Sequence, residues 1–258
     1  WILYKGSVAN KIAKEMKDNN GLITKSDLEN YNPVWRKPLI SQYRGNNVIT
    51  MGPPSSGGLH IIQMLNILEN YDLKEINHNS KEYINLLTEV MKYAYSDRSK
   101  YLGDPDFYDV PVEKITSKKY GKRIFNDIEI GQSKPVGEVK PGMYLETESH
   151  ETTHFSVADA DGNIVSSTYT LNSTFGSGVV IKGTGIVMNN EMDDFSAAPG
   201  IPNQFNLLGA EANEIAPNKR PLSSMTPTIV MKNNELFFTT GSPGGSRIIS
   251  AVLQSILN

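Results

Sequence analysis

The chain has 258 residues, with 25 Lys+Arg against 28 Asp+Glu for a formal charge of −3, 38% hydrophobic residues and no cysteine. This size and apolar content argue for one large domain or two small ones with a sizeable core, and against intrinsic disorder. No apolar run approaches the ~18 residues of a membrane-spanning helix, the balanced charge without a Lys/Arg cluster argues against a nucleic-acid partner, and the lack of Cys excludes disulfides, thiolate metal ligands and cysteine nucleophiles.

The first half of the sequence predicts mainly helix. Ser7 is the expected N-cap of a helix carrying Val8, Ile12 and Met16 and closed by Asn19-Asn20-Gly21. A second helix follows the Gly/Pro/Ser-rich stretch 52–58 and places Ile61, Leu65 and Leu68 on one face. A third runs from Ser80 through Leu87, Met91 and Ala94 towards Gly103, where Asp104-Pro105 stops it. The polar stretch 110–151 has weak periodicity and is expected to be an exposed connector.

The second half predicts strands. Segments 152–157 and 164–170 are rich in β-branched and aromatic residues, with turn chemistry at 159–163 between them. A strand is expected over 179–188, interrupted by Gly183 and Gly185, and a hairpin over 228–232 and 235–240 around Asn233-Asn234. A Gly-rich loop, 241–246, leads into a last helix carrying Ile248, Ile249, Val252, Leu253, Ile256 and Leu257. Helices followed by hairpins predict layered α+β structure rather than alternating βαβ units. Position 1 is Trp, with no signal peptide ahead of it, and the last apolar pattern runs to Asn258 without a capping signal; the chain reads as part of something longer.

Four motifs invite chemistry. His150-Glu151-Thr152-Thr153-His154 matches the HExxH pattern of zinc proteases, which needs a helix to bring both imidazoles to one metal. Here the residues continue in strand-like order, and in a strand positions four apart are separated by roughly 13 Å; with only His60 and His78 left as further histidines, no metal site is expected. Asp159 to Asn163 resembles a calcium loop, but Ile164 stands where Gly is needed and Thr170 where a bidentate Glu belongs, so a plain turn is expected. The loop Gly241-Ser242-Pro243-Gly244-Gly245-Ser246 lacks the ending of a P-loop; it is either an ordinary connection or an anion cradle at a helix N-terminus. Finally, a hairpin turning near Asp161 or Gly162 puts residue 170 or 171 opposite Thr152, so that Thr170 would stand beside it, either as a cross-strand pair or as a nucleophile with its orienting partner.

Several strings together resemble the γ-glutamyltranspeptidase family. They are Thr152-Thr153-His154-Phe155-Ser156-Val157, Asn189-Asn190-Glu191-Met192-Asp193-Asp194-Phe195-Ser196, Asn218-Lys219-Arg220-Pro221-Leu222-Ser223-Ser224-Met225 and Gly241 to Arg247. Pro53-Pro54-Ser55-Ser56-Gly57-Gly58 and Tyr95-Ser96-Asp97-Arg98 through Gly103-Asp104-Pro105 match as well, so the resemblance covers essentially the whole chain.

That resemblance implies an N-terminal-nucleophile hydrolase fold, a four-layer αββα sandwich represented in part. It implies self-cleavage between Glu151 and Thr152, with 1–151 the end of a large subunit and 152–258 the start of a small one, the two forming a heterodimer. Thr152 becomes the nucleophile, its freed α-amine the base, and Thr170 the residue that hydrogen-bonds it. Gly244 and Gly245 supply the oxyanion hole; Asn172, Glu191 and Asp194 accept the substrate's α-ammonium; Ser223 and Ser224 donate to its α-carboxylate. Phe205 stands where family members with a lid over the pocket commonly place Tyr, and the Arg that anchors the carboxylate belongs to an upstream region not in this sequence. The implied substrates are glutathione and other γ-glutamyl compounds, with amino acids or dipeptides as acceptors, no cofactor, and a periplasmic or extracellular location.

Overall fold

A computed structural model of the chain describes residues 1–135, 138–139, 152–198, 200–203 and 207–258. Its helices are α1 (Ser7–Asp18), α2 (Lys25–Asn30), α3 (Gly57–Leu68), α4 (Lys81–Tyr101), α5 (Val112–Ile115), α6 (Lys118–Phe125) and α7 (Ile248–Leu257). Its strands are β1 (Leu39–Tyr43), β2 (Asn46–Thr50), β3 (Thr153–Ala158), β4 (Ile164–Tyr169), β5 (Val180–Ile181), β6 (Ile186–Val187), β7 (Thr228–Lys232) and β8 (Glu235–Thr240).

An antiparallel four-stranded sheet in the order β1-β2-β7-β8 joins the two halves of the chain. Its inward residues Val48 and Val230 share one core with Ile61, Leu65 and Leu68 of α3, Leu86 and Val90 of α4, and Ile249 and Leu253 of α7. The β3–β4 hairpin lies against β8 through side chains: the Ser156 and Thr239 hydroxyls are 3.1 Å apart, and the Ser166 hydroxyl donates to the Thr240 carbonyl at 3.4 Å. Helices, sheet and hairpin therefore follow one another in α+β layers, as the sequence predicts.

Local chemistry explains most boundaries. Ser80 caps α4 by accepting from the Tyr83 N–H at 3.1 Å. Asn233 and Asn234 both take positive φ, 53° and 66°, which is what a two-residue type I′ turn requires between β7 and β8. Asp159 gathers the N–H groups of Asp161 and Asn163 on one carboxylate oxygen, so the calcium-like string is the predicted turn.

Several expectations need correction. The α1 helix begins at Ser7 itself, after Gly6, with no side-chain cap. In α3 every residue is buried, not one face, because sheet and helices enclose it on all sides. The stretch after residue 110 is not a plain connector: it holds α5 and α6, whose Ile115 and Ile124 are buried. The expected strand over 179–188 is a two-stranded hairpin, β5–β6, because Gly183 and Gly185, both at positive φ, turn the chain. The β1–β2 hairpin, which turns at Arg44 and Gly45 with φ of 48° and 82°, was not anticipated in a half that looked helical.

Candidate active site

A cleft of about 680 Å³ opens where the two halves of the chain meet. Thr152 and Thr170 line one part of it. They flank the hairpin ladder, whose last pair is Thr153 with Tyr169; continuing that register by one step sets Thr152 opposite Thr170, as the turn position predicts. The Thr170 hydroxyl accepts from the Asn172 N–H at 2.8 Å. A hydroxyl that accepts there turns its own proton elsewhere.

Asn172 is buried at a φ of 78°, a left-handed conformation that Asn tolerates better than most residues, and its amide donates to Asp194 Oδ1 at 2.9 Å. Asp194 and Glu191 share one 3-10 turn, Glu191–Asp194, and both line the cleft. Burial, with the nearby Asp194 charge adding, pushes the Glu191 carboxyl up to about 7. Burial likewise lifts Asp194 to about 6, against the opposing pull of the Asn172 hydrogen bond and the Arg98 charge. Two half-buried carboxyls this close make an environment that gains from a cation. The turn is anchored by Asn213, whose amide donates to the Asp194 carbonyl at 2.7 Å and whose oxygen accepts from the Leu222 N–H at 3.0 Å.

Ser223 and Ser224 form the opposite wall. The Ser223 backbone is clamped to the segment before α3: its N–H donates to the Pro54 carbonyl at 2.9 Å, and its carbonyl accepts from Ser56 N and Ser56 Oγ, each at 2.8 Å. Gly57 makes this approach possible, since a Cβ there would lie 2.0 Å from Thr226 Oγ1 and 2.5 Å from the Met225 carbonyl. The Ser223 hydroxyl accepts from Met225 N at 3.0 Å, and the Ser224 hydroxyl from Arg98 Nη2 at 3.3 Å.

The Gly-rich loop completes the site. Gly244 and Gly245 take φ of 123° and 53°, so the chain turns onto the N-terminus of α7 through a conformation that suits Gly. Gly245 lines the cleft; its neighbour Gly244 is buried and is not one of the lining residues. Partly buried Tyr95 of α4 holds the loop by donating from its hydroxyl to the Ser246 carbonyl at 2.5 Å. Gly241 packs on His154, and a Cβ there would meet the ring at 2.1 Å.

The structure thus brings Thr152, Thr170, Asn172, Glu191, Asp194, Ser223, Ser224 and Gly245 into one cleft. Phe205, Glu151 and His150 lie outside the described residues. His154 sits in β3, with Nδ1 2.8 Å from Thr168 Oγ1 and Nε2 3.1 Å from Ser156 Oγ, so both ring nitrogens are engaged away from any HExxH geometry. Sequence reasoning gave no role to Arg98, which lines the cleft although only 5% exposed, nor to the stacked Tyr4 and Tyr31, whose rings lie 5.4 Å apart at its edge. The signal for Arg98 was its spacing: it continues the row of Val90 and Ala94 on the buried side of α4.

A family model described as gamma-glutamyltranspeptidase matches residues 2–258. The chain belongs to the γ-glutamyltranspeptidase family. The glutathione hydrolase proenzyme of Escherichia coli (strain K12) is 55% identical over 255 residues, covering 99% of this chain and 44% of that protein. Among solved structures, the cephalosporin acylase from Bacillus halodurans matches with a TM-score of 0.77 and 28% identity over 100% of this chain and 44% of its own. The Helicobacter pylori gamma-glutamyltranspeptidase matches with a TM-score of 0.53 and 49% identity, over 55% of this chain and 40% of that one. The chain therefore has the α+β fold of the N-terminal-nucleophile hydrolases, and it spans less than half the length of the curated relatives it matches.

Proposed function

We propose that the protein is a γ-glutamyl acyltransferase and hydrolase, acting on glutathione and related γ-glutamyl amides without metal or cofactor. One observation carries the reading: a single cleft holds the Thr152–Thr170 pair, two carboxyls of raised pKa and two serine hydroxyls that already accept hydrogen bonds. An amino-acid head group needs acceptors for its ammonium and donors for its carboxylate. Asn172, Glu191 and Asp194 supply the first; Ser223 and Ser224 supply the second.

Self-cleavage between Glu151 and Thr152 would leave 1–151 and 152–258 on separate subunits and free the Thr152 α-amine. That amine takes the Thr152 hydroxyl proton as the oxygen attacks the γ-amide carbon, and the resulting oxyanion is met by the N–H groups of Gly244 and Gly245. Collapse breaks the C–N bond, the leaving amine takes the proton from the base, and a γ-glutamyl ester of Thr152 remains. Water releases glutamate from it; the amine of an amino acid or dipeptide takes the acyl group instead. Family resemblance supports a periplasmic or extracellular site of action.

A second reading, a β-lactam acylase of the same fold, is favoured by the whole-chain likeness to a cephalosporin acylase. The two differ in the head group: a glutaryl chain lacks the α-ammonium that the carboxyls suit. The full-length protein should hydrolyse a γ-glutamyl anilide far faster than a glutaryl amide, and intact mass should show a break before Thr152. Preference for the glutaryl substrate would overturn the first reading in favour of the second.

A further inference from the structure

We infer that Arg98 is a positioning residue that makes Ser223 and Ser224 a matched pair of donors for a substrate carboxylate. The inference rests on the γ-glutamyl reading above and adds a group from this chain's own α4 to it. Arg98 Nε donates to Ser56 Oγ at 3.0 Å while Nη2 donates to Ser224 Oγ at 3.3 Å, so one guanidinium spans both sides of the donor wall. Ser56, fully buried, passes the restraint on by donating to the Ser223 carbonyl at 2.8 Å.

The direction of these bonds matters more than their number. A guanidinium has five donors and no acceptor, so any hydroxyl it meets must accept. Ser224 owns a single proton, and with a lone pair turned to Arg98 that proton points away from the guanidinium, toward the cleft it lines. Ser223 reaches the same state by another route, because its hydroxyl accepts from the Met225 N–H. Two neighbouring hydroxyls are thus set to donate, which fits the two oxygens of a carboxylate and disfavours an ammonium. The Arg98 charge also reaches across the cleft to Asp194, which keeps the acceptor wall closer to its ionised form.

Lysine can hold the charge but cannot make both bonds of the fork. In the full-length protein, Arg98→Lys should therefore raise KM for a γ-glutamyl anilide about tenfold, the weight of one charge-assisted hydrogen bond, with kcat within about threefold. Competitive inhibition separates positioning from general damage. The inhibition constant of L-glutamate should rise about tenfold, while that of 4-aminobutyrate, which lacks the α-carboxylate, should stay within about twofold. Ser56→Ala, which removes the hydroxyl that accepts from Arg98 Nε and donates to the Ser223 carbonyl but keeps the guanidinium and the Ser56 N–H bond to Ser223, should show the same selectivity at smaller size and serves if the lysine variant fails to fold. Equal losses for both inhibitors, or a fall in kcat at constant KM, would overturn the inference. A wild-type protein inert towards the anilide would instead sink the γ-glutamyl reading itself.

Discussion

On one wall of the cleft, Arg98, Ser223, Ser224 and Gly245 are borne by or pinned to α3, α4 and α7, whose apolar side chains share a single core. On the other, Asn172, Glu191 and Asp194 stand on a left-handed residue and one 3-10 turn, tied down by the side chains of Asn172 and Asn213. The first wall keeps its shape through burial, which is non-directional and large. The second keeps it through a few hydrogen bonds and holds carboxyls at raised pKa. Rigidity and electrostatic tuning are thus assigned to different parts of the sequence, and substitutions should separate the two.

The largest effect is expected where the walls meet. Thr152→Ala removes the proposed nucleophile, so turnover should fall by about 10⁴-fold or more and the break before Thr152 should vanish from the intact mass; retained processing would sink the assignment. Next comes the rigid wall. Ile249→Ala empties a fully buried site in α7 and should cost about 2–5 kcal/mol in denaturant unfolding, leaving KM for the anilide nearly unchanged.

The polar wall should respond in the opposite sense. Asp194→Asn should raise KM about 30-fold through loss of a charged partner for the ammonium, without loss of folding stability. Its pH signature has a definite sign. Below about 7 for Glu191 and about 6 for Asp194 the carboxyls become neutral, so wild-type KM should climb as pH falls through that range. Because burial raises the folded-state pKa of Asp194, its stabilising share is full below the unfolded value and is lost as pH rises through about 6. Without ligand, the Tm of Asp194→Asn relative to wild type should therefore rise between pH 4 and pH 8. A difference that shrinks over that range would contradict the burial account. The smallest effect belongs to Tyr95→Phe, which deletes the hydroxyl that holds the Ser246 carbonyl. Loss of one hydrogen bond behind the Gly-rich loop should lower kcat about fivefold with little change in KM.

The division between the walls also marks what could be read from the sequence. The helical wall was legible because apolar spacing in α4 and α7 and the Ser80 cap are local signals, and the β3–β4 register followed from a turn with Asp159 chemistry. The cleft's contents came from motif resemblance, since nothing local in Glu191 or Ser223 says that they will face one another across 32 residues of chain. The missed β1–β2 hairpin has the same cause: its partner is β7, far along the chain, and the pairing of Val48 with Val230 leaves no trace in either neighbourhood. Arg98 was overlooked because a buried cation on a helix has meaning only once Ser56 and Ser224 are placed beside it.

The ladder of the β3–β4 hairpin stops at Thr153 and Tyr169, one residue short of the threonine pair. Once cut, the new terminus would be a single residue pivoting on the final rung. On the proposed chemistry the attacking oxygen and the amine that deprotonates it ride on that same residue, so any swing of the pivot carries both together. Their mutual distance is insulated from the motion, and only their aim at the Gly-rich loop and at Thr170 is exposed to it. Fraying at that rung would then misdirect the attack without disarming the attacker, and the packing of Gly241 on the His154 ring, one residue further in, is where the pivot is steadied.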